Sequence, residues 1–363
     1  MPDPPLGAIA RDPDGSPTGQ LLEFGGSGLV DRFFPADTPE RHRGGLIQAM
    51  RALSAAMWFV AMQRADGSFP YVYDPARDHY DLYDYNEVRH AGATSALMQA
   101  AGLYGDATLT ACARAAAGYI LHSCVSVPGG GAAFLYKGRA KLGGVALAIV
   151  ALIEGKGVLA TSEYDEAVAA LGTFLVGLEL PGEPGRYAQS FDAATQEKLL
   201  TPASHYYPGE ALLALVRLHS AFPDGPWLAA ARRAAHYLLR VKDGDLVAAN
   251  AVPRDDHWLT IALNELARVD PNPDFATVAF LQAERMIRNQ IGADDPEPWR
   301  IGAGRRNPTP SYPSTATQAE ALLAAWELAR RLGNGQAAER YAQAALRAAQ
   351  FLMRVQHTAA SSA

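Results

Sequence analysis

A chain of 363 residues with 49% hydrophobic and 19% charged residues has the composition of a globular protein that buries a large core. Its net charge of -6 supplies no dense basic face, which argues against nucleic acid or an anionic membrane as partner. No charged-then-apolar leader follows Met1, no stretch reaches the roughly 18 uninterrupted apolar residues of a membrane span, and Cys112 and Cys124 make no disulfide framework.

A cytoplasmic protein with no metal and no cofactor is therefore the expectation. Residues 1–39 read as a partly irregular extension, 40–357 as one repetitive domain and 358–363 as a disordered tail. From residue 46 onward apolar residues recur at helical spacing in eleven stretches of two alternating kinds.

The stretch 46–63 is rich in Ala and Arg, wet on one face, and reads as an outer helix. It leads into Gln63-Arg-Ala-Asp-Gly67-Ser-Phe69-Pro-Tyr71, where aromatics alternate beside glycine as in a short β-ribbon. The run from Asp81 to His90 is the densest in chemistry, with Asp84, Tyr85, Glu87, Arg89 and His90 just before or within the first turn of a tighter, more apolar helix, 87–103. Asp84 or Asn86 is expected to cap that helix while Glu87 complements its dipole; the remaining polar groups are candidates for a site.

Next come an outer helix at 109–122, a ribbon-like segment from Gly131 to Tyr136, and an inner helix at 141–154. A third outer helix, 164–177, is followed by the ribbon segment Gly185 to Phe191 and by Ser204-His205-Tyr206-Tyr207-Pro208-Gly209-Glu210, which opens the inner helix 205–218. Tyr207 and His205 can face a ligand there, whereas Glu210 fits either a catalytic carboxylate or a group bonded to helix amides. Glu210 stands two residues before an aligned leucine, as Glu320 does later in the chain.

After the outer helix 227–241, Arg254-Asp255-Asp256-His257-Trp258 opens the inner helix 257–267, offering two acids, an imidazole and an aromatic platform. One of the aspartates is expected as the cap. The outer helix 276–290 precedes a Pro-stiffened loop carrying Arg305, Arg306 and Tyr312, with Ser314 or Thr315 as the cap of the inner helix 315–332; the outer helix 338–356 ends the pattern.

The inner stretches superpose on Ala96-Leu97, Ala146-Leu147, Ala211-Leu212, Ala262-Leu263 and Ala321-Leu322, which recur every 50 to 65 residues or so, one helical hairpin each. Three residues before each leucine stands Thr94, Gly144, Gly209, Thr260 or Ala319, small enough for close helix approach. The long connections all precede inner helices, so one end of the bundle carries the elaborated loops. Six outer and five inner helices leave a sixth hairpin incomplete unless an element near 28–34 completes it.

This period, the two alternating helix types and the Gln-x-x-x-Gly-x-Phe-x-Tyr segment at 63–71 resemble the six-hairpin (α/α) toroid enzymes: glycoside hydrolases, polysaccharide lyases, sugar epimerases and, more distantly, terpene cyclases. The resemblance spans 40–357 and implies an all-α (α/α)6 toroid with short β-ribbons at one mouth. It matches no subfamily signature, and the Asp-x-Asp-Asp motif of squalene-type cyclases is absent. P-loop, zincin and esterase-elbow patterns are absent too.

The leading expectation is a glycosidase in which Asp84 or Glu87 faces Asp255 or Asp256, with Glu210 a further candidate acid. Tyr85, Arg89, His90, His205, Tyr207, His257, Trp258, Tyr312 and Arg305 would hold the substrate. The many loop cations point to an anionic, uronate-containing oligosaccharide. The alternatives are a uronate lyase or C5-epimerase working through Tyr and His, an isoprenoid cyclase or dehydratase, and a toroid that binds without chemistry.

Overall fold

The computed structural model describes residues 40–74, 77, 79–80, 85–128, 130–252, 254–306 and 309–356. Eleven helices run through them: α1 (Glu40–Met62), α2 (Glu87–Tyr104), α3 (Ala107–His122), α4 (Leu142–Leu159), α5 (Asp165–Gly177), α6 (Tyr207–Ala221), α7 (Trp227–His236, continued by a π-helical turn at Tyr237–Val241), α8 (His257–Val269), α9 (Pro273–Arg288), α10 (Tyr312–Arg331) and α11 (Gly335–Val355).

Two layers follow from two kinds of helix surface. In α11 the buried residues Ala338, Tyr341, Ala344, Ala345, Ala348 and Phe351 form one stripe at helical spacing, so this outer helix keeps a solvated back. In α4 every residue from Leu142 to Leu152 is buried, because neighbours surround it. Each inner helix packs on the next, α2 on α4, α4 on α6, α6 on α8 and α8 on α10, while α1 and α11 meet in the outer layer. Gln356 Nε2 donates to the Arg51 carbonyl at 3.1 Å and ties the last described residue to the first helix.

All eleven expected helices are present, and the five aligned leucines, Leu97, Leu147, Leu212, Leu263 and Leu322, are all buried. The element expected near 28–34 lies outside the described residues. Boundaries differ where local chemistry intervened. Ser311, not Ser314 or Thr315, caps α10 by accepting from Ser314 N at 3.4 Å, so the helix starts at Tyr312; Thr315 instead donates to the Ser311 carbonyl at 2.7 Å. Asn86 caps α2, accepting from Arg89 N at 3.0 Å. By length and mean hydropathy (1.8) α4 is apolar enough to cross a membrane, and 67% of that window is buried within the protein, as its place between α2 and α6 requires.

Short antiparallel ribbons fill four of the outer-to-inner connections: β1 (Tyr73–Asp74) with β2 (His79–Tyr80), β3 (Cys124–Ser126) with β4 (Ala132–Phe134), β5 (Arg139–Lys141) with β6 (Ser190–Asp192) and β7 (Glu197–Leu199), and β8 (Arg305–Arg306) with β9 (Thr309–Pro310). The first ribbon follows the 63–71 segment, which is itself irregular. Its glycine explains why. Gly67 has φ +88°, and a Cβ there would lie 2.2 Å from the Ala115 carbonyl oxygen of α3. Gly131, Gly185 and Gly302 repeat the device against Ala170, Arg233 and Arg347 of the next outer helix. Gln63 Nε2 donates to the Gly67 and Cys112 carbonyls, and Gln290 Nε2 likewise to those of Gly302 and Ala344. These seats hold the loops on one end of the ring.

At the other end the inner helices are tied by ions. Arg217 of α6 bridges Glu154 of α4 (3.0 Å) and Glu265 of α8 (2.8 Å), while Glu327 of α10 engages Arg268 and Asn264 of α8. Pairing residue 264 with 327, and 257 with 320, makes α8 and α10 parallel.

Candidate active site

Because the inner helices are parallel, their N-termini form one rim, and an acid enters the seam between each successive pair. Glu87 of α2 packs on Gly144 of α4, where an added Cβ would come within 3.0 Å of its Cγ. Glu210 of α6 lies against Gly143 of α4, and Asp256 of α8 against Gly209 of α6. Glu320 of α10 faces His257 of α8, with Oε2 3.8 Å from Nε2. The glycines are thus the sockets that let carboxyl groups fit between close-packed helices.

The four acids differ in surroundings. Glu87 is buried and paired with Lys141 Nζ at 3.1 Å. Asp256 caps α8, accepting from Leu259 N at 3.2 Å; burial raises its pKa to about 7 although the backbone hydrogen bonds oppose the rise. Glu210 is raised further, to about 8, by burial and then by the charge of Asp256, and its Oε2 accepts no hydrogen bond among the described residues. Glu320 is different in kind. Its side chain is 57% exposed, yet the protein around it withdraws enough water to raise the pKa to about 7.

Around Glu320 stands a group of rings. His257 contacts Trp258 (4.6 Å between centroids) and Tyr206 (5.5 Å), and Tyr206 lies 3.8 Å from His205. Burial, and then His205, lower the His257 pKa to about 4, so its imidazole is neutral near pH 7. His257 Nδ1 has no hydrogen-bond partner among the described residues. Tyr207, pushed up to about 12 by burial and by Glu210 and Glu87, closes the neighbouring seam over Gly143.

The structure thus brings together Glu87, Glu210, Asp256, His205, Tyr207, His257 and Trp258 on one rim. It sends other expected site residues elsewhere. Asp255 is turned to Arg285 of α9, with Oδ1 3.0 Å from Nε, so only one of the adjacent aspartates faces the inner ring. His90 is buried under Phe69, Tyr85 and Tyr119; its Nε2 donates to the Ala116 carbonyl of α3 at 3.0 Å, and burial lowers its pKa to about 4. Tyr85 is buried in the same cluster against Tyr136, its phenol raised far above the usual range by burial. Arg89 is exposed and lies over Tyr71. Tyr312 stacks on Phe351 of α11, Arg305 is exposed on β8, and Asp84 lies outside the described residues.

Glu320 and Tyr206 were not among the site residues expected from sequence. The equal height of Glu320 and Glu210 relative to the aligned leucines was the available signal. The loop cations are also less free than their count implies, since Lys141, Arg139, Arg186 and Arg77 pair with Glu87, Asp192, Glu183 and Asp74. Among the described residues no three His, Cys, Asp or Glu side chains cluster to hold a metal ion.

Two layers of parallel inner and antiparallel outer helices, with loops and acids gathered at one mouth, define an (α/α)6 toroid. Solved structures agree. The chain is similar to cellobiose 2-epimerase from Bacillus thermoamylovorans B4167 (TM-score 0.64, 12% identity, 87% of this chain and 89% of that one) and to a D-mannose isomerase (0.59, 14%, 88% and 87%). It is also similar to the GH76A α-1,6-mannanase from Salegentibacter sp. HEL1_6 (0.54, 14%, 77% and 98%). No protein-family model matches the chain, and no curated protein matches it. At these identities the likeness establishes the fold.

Proposed function

We propose that this protein is a carbohydrate-active enzyme that moves a proton on a neutral reducing sugar, an epimerisation or isomerisation, with Glu320 as the exchanging acid and base. The observation that carries this reading is the placement of Glu320: of the four rim acids described above it is the one open to solvent, its Oε2 stands 3.8 Å from Nε2 of the buried His257, and its pKa is pushed upward, the direction that lets one group both remove and return a proton. The enzymes named above as an epimerase and an isomerase on the same fold support it.

The chemistry balances within the site. Glu320 carboxylate takes the proton from the carbon next to the open-chain carbonyl, and the electron pair moves onto the carbonyl oxygen to give an enediolate. His257, neutral because burial depresses its pKa, donates a hydrogen bond to that oxygen rather than a full proton. Rotation of the enediolate about its bond to the next carbon turns the other face to Glu320, and return of the proton there gives the epimer; return to the former carbonyl carbon, with the adjacent hydroxyl proton passing to the former carbonyl oxygen, gives the isomer. Tyr206, His205 and Trp258 form the wall against which the sugar lies. A neutral substrate is favoured because Arg77, Arg139, Lys141 and Arg186 are each engaged by an acid of the protein itself.

Hydrolysis is the second reading, favoured by Glu210 and Asp256, two neighbouring rim carboxyls whose pKa values burial pushes up to about 8 and about 7, so that one can hold a proton while the other is ionised. Both are buried, so a glycosidase needs Glu320 as one partner and an opening of the seam for the other. Incubation with mannose and cellobiose in deuterium oxide separates the readings. Deuterium at the carbon next to the carbonyl, lost in Glu320→Gln, supports proton transfer; new reducing ends without deuterium would replace it with hydrolysis.

A further inference from the structure

We propose that the aromatic surface beside the mouth, built by Trp58 of α1, Tyr71 and the β1–β2 ribbon, binds the distal rings of an oligosaccharide whose reducing end enters the site. This rests on the reading that the ligand is a sugar. Trp58 is 39% exposed, Tyr71 37% and Val72 47%. Tyr73 and Tyr80, paired across the ribbon, stack with centroids 4.6 Å apart and planes 22° from parallel, and Trp58 lies 6.2 Å from Tyr73. The result is a broad aromatic shelf.

The shelf joins the mouth through Arg89, whose guanidinium lies 5.6 Å from the centre of the Tyr71 ring. Arg89 lies in the first turn of α2, and Tyr71 and the ribbon lie in the connection that leads into that turn, which places the shelf on the loop-bearing end of the ring. A pyranose has an apolar C–H face and a rim of hydroxyls, and this surface offers the matching pair: flat rings for the face, and guanidinium and phenol groups for the rim. A protein partner would call for a larger aliphatic patch, and Val72 is the one large aliphatic residue exposed in the segment 71–74. Arg77 and Asp74 of the ribbon are paired with each other at 2.9 Å.

Calorimetric titration of the full chain with mannose, cellobiose, mannotetraose and cellotetraose tests the proposal without requiring turnover. One tetrasaccharide is expected to bind about tenfold tighter than its shorter counterpart, and Trp58→Ala or Tyr71→Ala each to remove most of that gain while leaving the shorter sugar's affinity unchanged. Trp58→Phe, which keeps a ring, is expected to retain most of the tetrasaccharide affinity, and Tyr71→Ala serves as the loss variant if Trp58→Ala does not fold. Equal affinity for short and long sugars, or wild-type tetrasaccharide binding in both alanine variants, overturns the shelf. So does a shift from dimer to monomer on Trp58→Ala, which would make the surface a contact between copies. Tetrasaccharide binding at the shelf with no deuterium incorporation would sink the reaction proposed for Glu320 and leave the shelf standing.

Discussion

Gly143 and Gly157 lie in the same inner helix, α4, and alanine at the two positions should act in opposite directions. At 157 an added Cβ meets nothing within 4 Å, so replacing a helical glycine stabilises the protein by up to about 1 kcal/mol. At 143 the Cβ falls 2.0 Å from Glu210 Oε2 and 2.5 Å from Tyr207 Cδ1. The buried carboxyl has to leave its socket, and overpacking of this kind costs roughly 1–3 kcal/mol, more than the helix gains from losing a glycine. For a ring of this size a net loss of roughly 1–2 kcal/mol lowers Tm by about 1.5–3 °C, readable by circular dichroism at constant pH. Combining Gly143→Ala with Glu210→Ala should cost less than the sum of the two, because the carboxyl half of the clash is gone. If Gly143→Ala raises Tm as Gly157→Ala does, the socket does not exist and the placement of Glu210 is wrong.

The loop seats give a second contrast. Gly67→Ala and Gly302→Ala, at φ near +90° and with carbonyl oxygens 2.1–2.2 Å from the new Cβ, should each cost roughly 2–4 kcal/mol, whereas Gly105→Ala, at φ +62° in open space, should cost about 1 kcal/mol; chemical denaturation distinguishes them. Stability should also fall as pH rises from about 6.5 to 8. Glu210, Asp256 and Glu320 have folded pKa values above their unfolded ones, so the native state binds the extra protons and loses that advantage on titration through about 7 to 8. His90 and His257, depressed to about 4, act oppositely between about 4 and 6.5 and offset the acids there. Glu210→Gln should flatten the decline above pH 6.5, and an unaltered Tm–pH slope would remove Glu210 as its source. Lys141→Met leaves Glu87 buried without its cation and should cost roughly 2–4 kcal/mol, read by chemical denaturation at pH 7; wild-type stability in this variant would mean that the pair is inert.

The hairpin architecture was legible because burial imposes it on composition. An inner helix such as α4, walled in on all sides, can use Val-Ala-Leu-Ala-Ile-Val, while α11 needs its alanines and aromatics on one stripe only. The Ala-Leu register located the inner helices, and the small residues three positions earlier were the sockets now seen at Gly144 and Gly209. Single-residue orientation was not legible. Asp255 and Asp256 are neighbours in sequence, yet the capping geometry of Asp256 turns it to Gly209 and leaves Asp255 to Arg285 of a different helix. His90 looked like a mouth residue because it stands near a helix start, but its position on the helix points it at the Ala116 carbonyl of the outer layer. Glu210 read first as a group bonded to helix amides; among the described residues its Oε2 makes no such bond, and it lies buried beside a glycine whose significance depends on the helix opposite.

The measurement that bears most directly on the reaction is proton NMR of mannose and cellobiose incubated with the wild-type chain and with Glu320→Gln in deuterium oxide at pH 7. Deuterium appearing at the carbon next to the carbonyl with the wild type, together with a new epimer or isomer, and a loss of at least about a hundredfold in Glu320→Gln, is the predicted result. Incorporation that persists at the wild-type rate in Glu320→Gln would contradict the assignment of Glu320 as the proton-exchanging group.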